Sequence, residues 1–320
     1  MPVVPNRKNV DASAVAIMLT LCLLWGMQQI TIKVAAPHVA PVLQVAIRSA
    51  VSTLVVGLVA AAGRWRGWLP GVRGGGFVAG VAFALEFLFI AQGMRYTTAA
   101  HMAVFLYTAP LFAALVLHWR LPAERLAPAQ WLGIGVAFVG IAVTLLGPDA
   151  GPPTGAAQDL DASTMLVGDV FGILAGAAWG MSTVAVRCTR LSEAPAMQSL
   201  FYQLLTSTVL LLPLAALTGQ THFAPGPIDW LCLAYQGLVV SFFSYLVWFW
   251  ILRRYLASRV GVLSFMTPFF GVGLAAWLLH EPLEPRFLVG AALVLAGVFV
   301  VNGHVLLASW LRRATPDRGR

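Results

Sequence analysis

Residues 24–33 read Leu24-Trp25-Gly26-Met27-Gln28-Gln29-Ile30-Thr31-Ile32-Lys33, and residues 178–187 read Ala178-Trp179-Gly180-Met181-Ser182-Thr183-Val184-Ala185-Val186-Arg187. At an offset of 154 the Trp-Gly-Met triplet recurs, and the lysine that closes the first copy falls opposite an arginine. Each copy lies inside an apolar run, 12–35 and 166–187, long enough to supply the roughly 20 residues a helix needs to cross a bilayer core. The correspondence continues outward. At the same offset Gln44 meets Gln198 and Arg48 meets Tyr202. Thr108-Ala109-Pro110 lies over Met266-Thr267-Pro268 at 158, and Glu124, Gly133 and Gly140 match Glu281, Gly290 and Gly297 at 157. The chain is an internal repeat whose register drifts by a few residues through loop insertions.

Ten apolar runs of span length follow one another: 12–35, 40–62, 75–95, 98–119, 128–147, 166–187, 196–217, 229–252, 259–280 and 286–308. Five spans per repeat is an odd number, so the second copy must enter the membrane from the opposite side. Charge tests this independently. With ten spans, one face collects Arg7, Lys8, Arg64, Arg66, Arg73, Arg120, Arg125, Arg187, Arg190, Arg253, Arg254, Arg259, Arg312, Arg313, Arg318 and Arg320, which is 16 of the 20 basic residues. Lys33, Arg95 and Arg286 fall on the other face, and Arg48 lies within a span. Cytoplasmic loops retain Lys and Arg, so both termini are expected in the cytoplasm, with the chain multi-pass. The fold expected is an all-α integral membrane protein of two inverted five-helix repeats, 12–147 and 166–308. A Pro/Gly/Asp-rich linker, 148–165, joins them on the outer side, and a cytoplasmic tail, 309–320, follows.

Composition excludes the main alternatives. Apolar residues make up 59% of the 320 and charged residues only 10%, against about 25% charged in ordinary globular chains. Lipid must therefore cover much of the surface. The net charge of +8 resides in short loops rather than on one basic face, so no nucleic-acid partner is implied. Cys22, Cys188 and Cys232 are far apart in apolar segments and show no metal or disulfide spacing; they read as buried small side chains. Neither lysine sits in a phosphate-binding GxxxxGK[ST] frame, and no cofactor is implied. The first run is longer than a signal-peptide core and has a counterpart in the second half, so it reads as a retained span.

Inverted repeats recur in secondary transporters, with the substrate site near the midplane between the halves. The sequence also resembles the drug/metabolite transporter superfamily, in its ten-helix EamA-type branch. The residues that carry the resemblance are Leu24-Trp25-Gly26, Arg48, Tyr107-Thr108-Ala109-Pro110 with Glu124-Arg125-Leu126, and Ser244-Tyr245-Leu246-Val247-Trp248-Phe249-Trp250. Thr267-Pro268, His280-Glu281-Pro282-Leu283 and the stretch Gly290 to Asn302 complete it. The resemblance implies a non-enzymatic carrier of the bacterial inner (plasma) membrane, with the 148–165 linker in the periplasm. Such carriers are commonly exporters of amino acids, metabolites or drugs, working by alternating access of a central cavity. The expected partners are a small organic solute, the bilayer and protons, in a monomer or homodimer. The rival class is a membrane-embedded enzyme acting on a lipid or lipid-linked substrate. It would need clustered His, Asp or paired acids at one membrane face, and the loops lack HxxxH and DxD patterns.

Charge inside a bilayer is costly and needs a reason. Glu86 lies within the third span and faces Ser244 at an offset of 158, so the carboxylate belongs to one half only. It either binds a substrate amine or takes up a proton, or it is a structural carboxylate paired with Arg48 or bonded to His101. His101 is the candidate second member of a proton relay, and Arg48 reads as a helix-locking group. Trp25, Gln29 and Lys33 share one helix face by their spacing, and Trp179, Thr183 and Arg187 repeat it. Tyr107, Tyr245 and Trp248 are further wall candidates from the resembling runs; an aromatic wall with few polar groups suits an amphipathic organic solute. Pro110 and Pro268 are expected to kink symmetry-related helices and to shape or gate the path. Gly168, Gly172, Gly176 and Gly180 form a small-residue stripe for close helix packing.

Overall fold

A computed structural model describes residues 11–63, 67–122, 125–146, 162–255 and 263–314. The helices are α1 (Ala12–Ala35), α2 (Pro41–Ala62), α3 (Arg73–Gly93), α4 (Ala99–Leu106), α5 (Ala109–Arg120) and α6 (Pro128–Leu146) in the first half. The second half holds α7 (Ala162–Arg187), α8 (Ala196–Leu217), α9 (Pro227–Ala234), α10 (Tyr245–Arg254), α11 (Met266–Leu278) and α12 (Pro285–Ala314). Eight spans have the length and hydropathy to cross a membrane, and α11 and the Pro285–Val301 part of α12 are shorter apolar helices that complete the ten. Large apolar side chains such as Leu54, Leu58, Leu132 and Trp277 point outward, as a lipid-covered surface requires.

Three spans depart from a simple rod. The fourth, expected to be one proline-kinked helix, is two helices separated at Tyr107–Thr108. Pro110 stands at the start of α5, where its missing N–H costs nothing, so the span is broken just before the proline. The ninth is similar: turn residues Ser264 and Phe265 precede α11, and Pro268 lies in its first turn. The eighth span carries a ten-residue π-helix, Tyr235–Ser244, between α9 and α10. At the other boundaries α7 starts at Ala162, which takes the last residues assigned to the linker into the helix, and α12 runs on to Ala314. Residues 147–161, which hold most of the linker, and Glu124 lie outside the described residues.

The packing is that of an inverted pair. α1 packs on α11, whereas its repeat counterpart α7 packs on α4 and α5. At Gly26 a Cβ would stand 2.8 Å from the Gly271 nitrogen, and at Gly180 it would stand 3.0 Å from the Ala113 nitrogen. Gly26 and Gly180 are related at 154, and Ala113 and Gly271 at 158, so the two crossings are one contact used twice. α6 and α12 pack together in the same manner: Gly133 meets the Gly297 carbonyl and Gly140 the Gly290 carbonyl. The α7 stripe also behaves as a packing surface, with Gly172 against Phe105 and Gly176 against Thr108 and the Phe105 carbonyl. Small residues let backbones approach where the hydrophobic effect offers no drive between helices.

One end of the bundle carries the start of α1 and the α7–α8 connection. The other, the far end, is stitched across the halves by polar contacts. Val39 and Phe223 form an antiparallel bridge, with Ala40 N donating to His222 O at 3.0 Å and Ala224 N to His38 O at 2.9 Å. Gln44 donates to the Ile32 and Val39 carbonyls and accepts from Gln236. Glu281, at the end of the ninth span, accepts from Ala99 N and Ala100 N at 2.8 and 3.0 Å, satisfying donors at the first turn of α4.

Candidate functional site

A cavity of about 610 Å³ lies in the seam, lined by residues from spans 1, 3, 4, 6, 7, 8 and 9. Trp25, Gln29, Glu86, Tyr107, Trp179, Thr183, Tyr245 and Trp248 all lie on its wall. Its lining residues Gln28, Gln29 and Glu86 are buried, whereas Arg187 and Ser192, at the α7–α8 connection, are exposed. The cavity is therefore open toward one end and closed toward the other.

Local structure explains how these side chains reach the seam. The two repeat tryptophans each meet a ring from another span edge-on. Trp25 and Trp248 lie 5.6 Å apart at 73°, and Tyr107 and Trp179 lie 5.4 Å apart at 85°; aromatic quadrupoles favour this geometry. The glycine that follows each tryptophan lets its helix cross a broken span closely, which places the ring beside the break. Trp25 Nε1 donates to Ser244 Oγ at 2.9 Å, and Ser244 donates to Val240 O within the π-helix. π-segments recur at functional sites. At the fourth-span break, Thr108 Oγ1 donates to Phe105 O at 2.6 Å, satisfying a carbonyl at the end of α4 inside the bundle.

Glu86 is the one acid, and Arg187 the one Lys or Arg, among the described lining residues. Glu86 is 5% exposed, and among the described residues neither its Oε2 nor Gln29 Oε1 has a hydrogen-bond partner. Arg48 is fully buried behind this wall. Its guanidinium lies 3.6 Å over the Phe87 ring, with Nε and Nη1 unpartnered among the described residues. Arg48 and Glu86 do not close an ion pair, although each lies within the other's electrostatic reach. A single carboxylate in an aromatic chamber can receive a cationic group, with the ring faces adding to the attraction.

His101 is elsewhere. It does not line the cavity and does not bond Glu86: its Nδ1 lies 2.9 Å from Asp169 Oδ2, and its ring stacks on Phe287 at 4.2 Å. Thr97 Oγ1 donates to the same carboxylate. The expected Glu86–His101 relay is thus replaced by a His101–Asp169 pair that joins the fourth span to the sixth near the far end. Lys33 also turns from the cavity, donating to the Met94 and Thr97 carbonyls. Cys188, expected to be buried, is exposed just past the end of α7, while Cys22 and Cys232 are buried. Sequence reasoning missed Asp169, Gln28, Ser182, Ser199 and Gln203. The repeat offset pairs Gln28 with Ser182 as it pairs Gln29 with Thr183, so that signal was present; Ser199 and Gln203 carried none.

Two inverted five-span halves around a chamber at their seam define a membrane transporter. The profile of the EamA-like transporter family matches residues 12–146 and again 166–303, and the chain belongs to that family, within the drug/metabolite transporter superfamily. It is 27% identical over 290 residues to a probable amino-acid metabolite efflux pump of Salmonella typhimurium, covering 88% of this chain and 92% of that protein. Over 228 residues it is 25% identical to an uncharacterized transporter of Archaeoglobus fulgidus, covering 70% and 73%. A solved crystal structure superposes with a TM-score of 0.62 at 23% identity, covering 94% of this chain and 99% of that one; this likeness concerns the fold.

Proposed function

We propose that this chain is a secondary active exporter of a small organic metabolite that carries a protonated amine, such as an amino acid or a drug-like amine, moved by alternating access of the seam cavity. The observation that carries the reading is the aromatic chamber with Glu86 as its acid. About 610 Å³ falls in the range of pockets for organic ligands, and the partnerless Oε2 of Glu86 suits an ammonium donor. Arginine distribution supports an inner-membrane orientation with the mouth end and both termini cytoplasmic. In that orientation the cavity is open to the side from which an exporter loads. Glu86, without His101, is the group that would exchange a proton for substrate.

Proteoliposomes loaded with a panel of amino acids, arylalkylamines and amine-free organic acids, with and without a pH gradient, test this. Amine-bearing solutes are expected to move and acids to stay. Glu86→Gln should abolish amine transport or strip it of its pH dependence. Transport of the acids alone, an unchanged pH profile in Glu86→Gln, or turnover of a lipid with no solute movement would each overturn the reading.

A further inference from the structure

At the far end, two histidine–carboxylate pairs each join one half of the molecule to the other. His38, between α1 and α2, lies 3.1 Å from Asp229 Oδ2 in α9, with side-chain exposures of 58% and 5%. His101 and Asp169 form the second pair, buried. The first is built into the main-chain bridge: His38 O accepts from Ala224, the neighbouring Ala40 N reaches His222, and Asp229 also accepts from Gly226 N at 2.8 Å. Asp229 thus holds its own loop and the opposing histidine with one oxygen. The exit from the cavity must run through this layer, because the mouth is at the other end.

We propose that His38 and Asp229 form an acid-strengthened latch on the exit, so that protons on the far side hold the transporter closed. This rests on the reading above, in which that end is the exit. In the closed form a protonated imidazole meets a buried carboxylate as a charge-assisted pair. The neutral ring keeps a hydrogen bond to the carboxylate but loses the attraction between opposite charges. When the exit opens, His38 loses Asp229 and gains only water. Protons therefore bind the closed form more tightly, and acid populates it. The surrounding groups do not offset this. His222 opposes the segment through its backbone carbonyl, Cys232 lies beside Asp229, and Lys33, one turn back on α1, is held by the Met94 and Thr97 carbonyls. An acidic exterior that drives exchange through Glu86 would at the same time restrain opening, which gives the latch a sign opposite to that of the driving force.

The test labels cysteines in intact cells with a membrane-impermeant maleimide. Gln29→Cys, in a chain whose three native cysteines are serine, reports opening at the far end; a second chain keeping only Cys188 marks the mouth side. At each pH the Gln29→Cys labelling rate is divided by that of the same chain with His38→Gln, which cancels the pH dependence of thiol chemistry. The ratio is expected to rise about two- to fivefold from pH 5.5 to pH 8, and to stay flat when Asp229→Asn, which retains the Gly226 bond, is present in both. A flat ratio with Asp229 intact, or a rise that persists with Asp229→Asn, overturns the latch. Labelling of Cys188 from outside overturns the orientation instead, and a panel in which no solute moves overturns the transport reading.

Discussion

Replacing Gly26 or Gly180 with alanine tests whether the repeated Trp-Gly motif serves a close crossing of the two halves. At Gly26 the new methyl would lie 2.8 Å from the Gly271 nitrogen and 3.1 Å from the Phe270 carbonyl carbon; at Gly180 it would lie 2.7 Å from Ala109 O and 3.0 Å from Ala113 N. These are backbone atoms of a neighbouring span and cannot rotate aside. Ordinary contact begins near 3.4 Å, so at its tightest point the crossing must open by about 0.6 Å at Gly26 and about 0.7 Å at Gly180. Overpacking of this kind costs about 1–3 kcal/mol, offset by up to about 1 kcal/mol from the better helix propensity of alanine. The net expectation is a loss of about 1–2 kcal/mol at either site, read as a midpoint lowered by roughly 2–6 °C when monodispersity in detergent is followed on heating. Gly135→Ala and Gly273→Ala are the controls, because a Cβ at either meets nothing within 4 Å; they should match the parent or exceed it. If Gly26→Ala and Gly180→Ala were as heat-stable as these controls, the close-crossing account of the motif would be wrong.

Asp169→Ala strands the His101 ring nitrogen and the Thr97 hydroxyl in a buried site, and should cost about 2–4 kcal/mol. Asp169→Asn should fall between it and the parent in the same heating assay, and equal stability of all three would show that the pair contributes nothing. Arg48→Met leaves Glu86 without the buried cation within its electrostatic reach, so it should lower stability more than the double replacement Arg48→Met/Glu86→Gln does. A double-mutant cycle in the same assay should give a coupling of about 1 kcal/mol or more, and additive effects would refute the charge balance.

The ten-span, two-half architecture was legible because hydrocarbon thickness, loop arginines and the 154-residue repeat are independent constraints on one count. The runs 12–35 and 196–217 coincide with α1 and α8. The cavity wall was legible for the same reason, since Trp25 and Trp179 stand at repeat-related positions on facing spans. The break at Tyr107–Thr108 was harder to place: Pro110 signals a disturbance, but a proline can equally kink a helix or begin one. The π-helix at Tyr235–Ser244 has no proline or charge to mark it; the bond between Ser244 and Trp25 emerges only from tertiary contact. Asp169 illustrates a signal passed over. A carboxylate inside an apolar run requires a partner as surely as Glu86 does, and His101, attended to for its own titration, needed an acceptor.

The glycines of α6 and α12 bear on what either half could do alone. Gly133 touches Gly297 and Gly140 touches Gly290, yet Gly133 corresponds to Gly290 and Gly140 to Gly297, so each half presents to its neighbour the patch it receives in return. A surface of that kind is self-complementary: a five-helix fragment would find in an upside-down twin what it now finds in its sibling. Fusing the two into one polypeptide frees them to differ, and here the difference falls where it matters, with arginine in one half where the other has tyrosine, and an acid at the chamber wall on one side only.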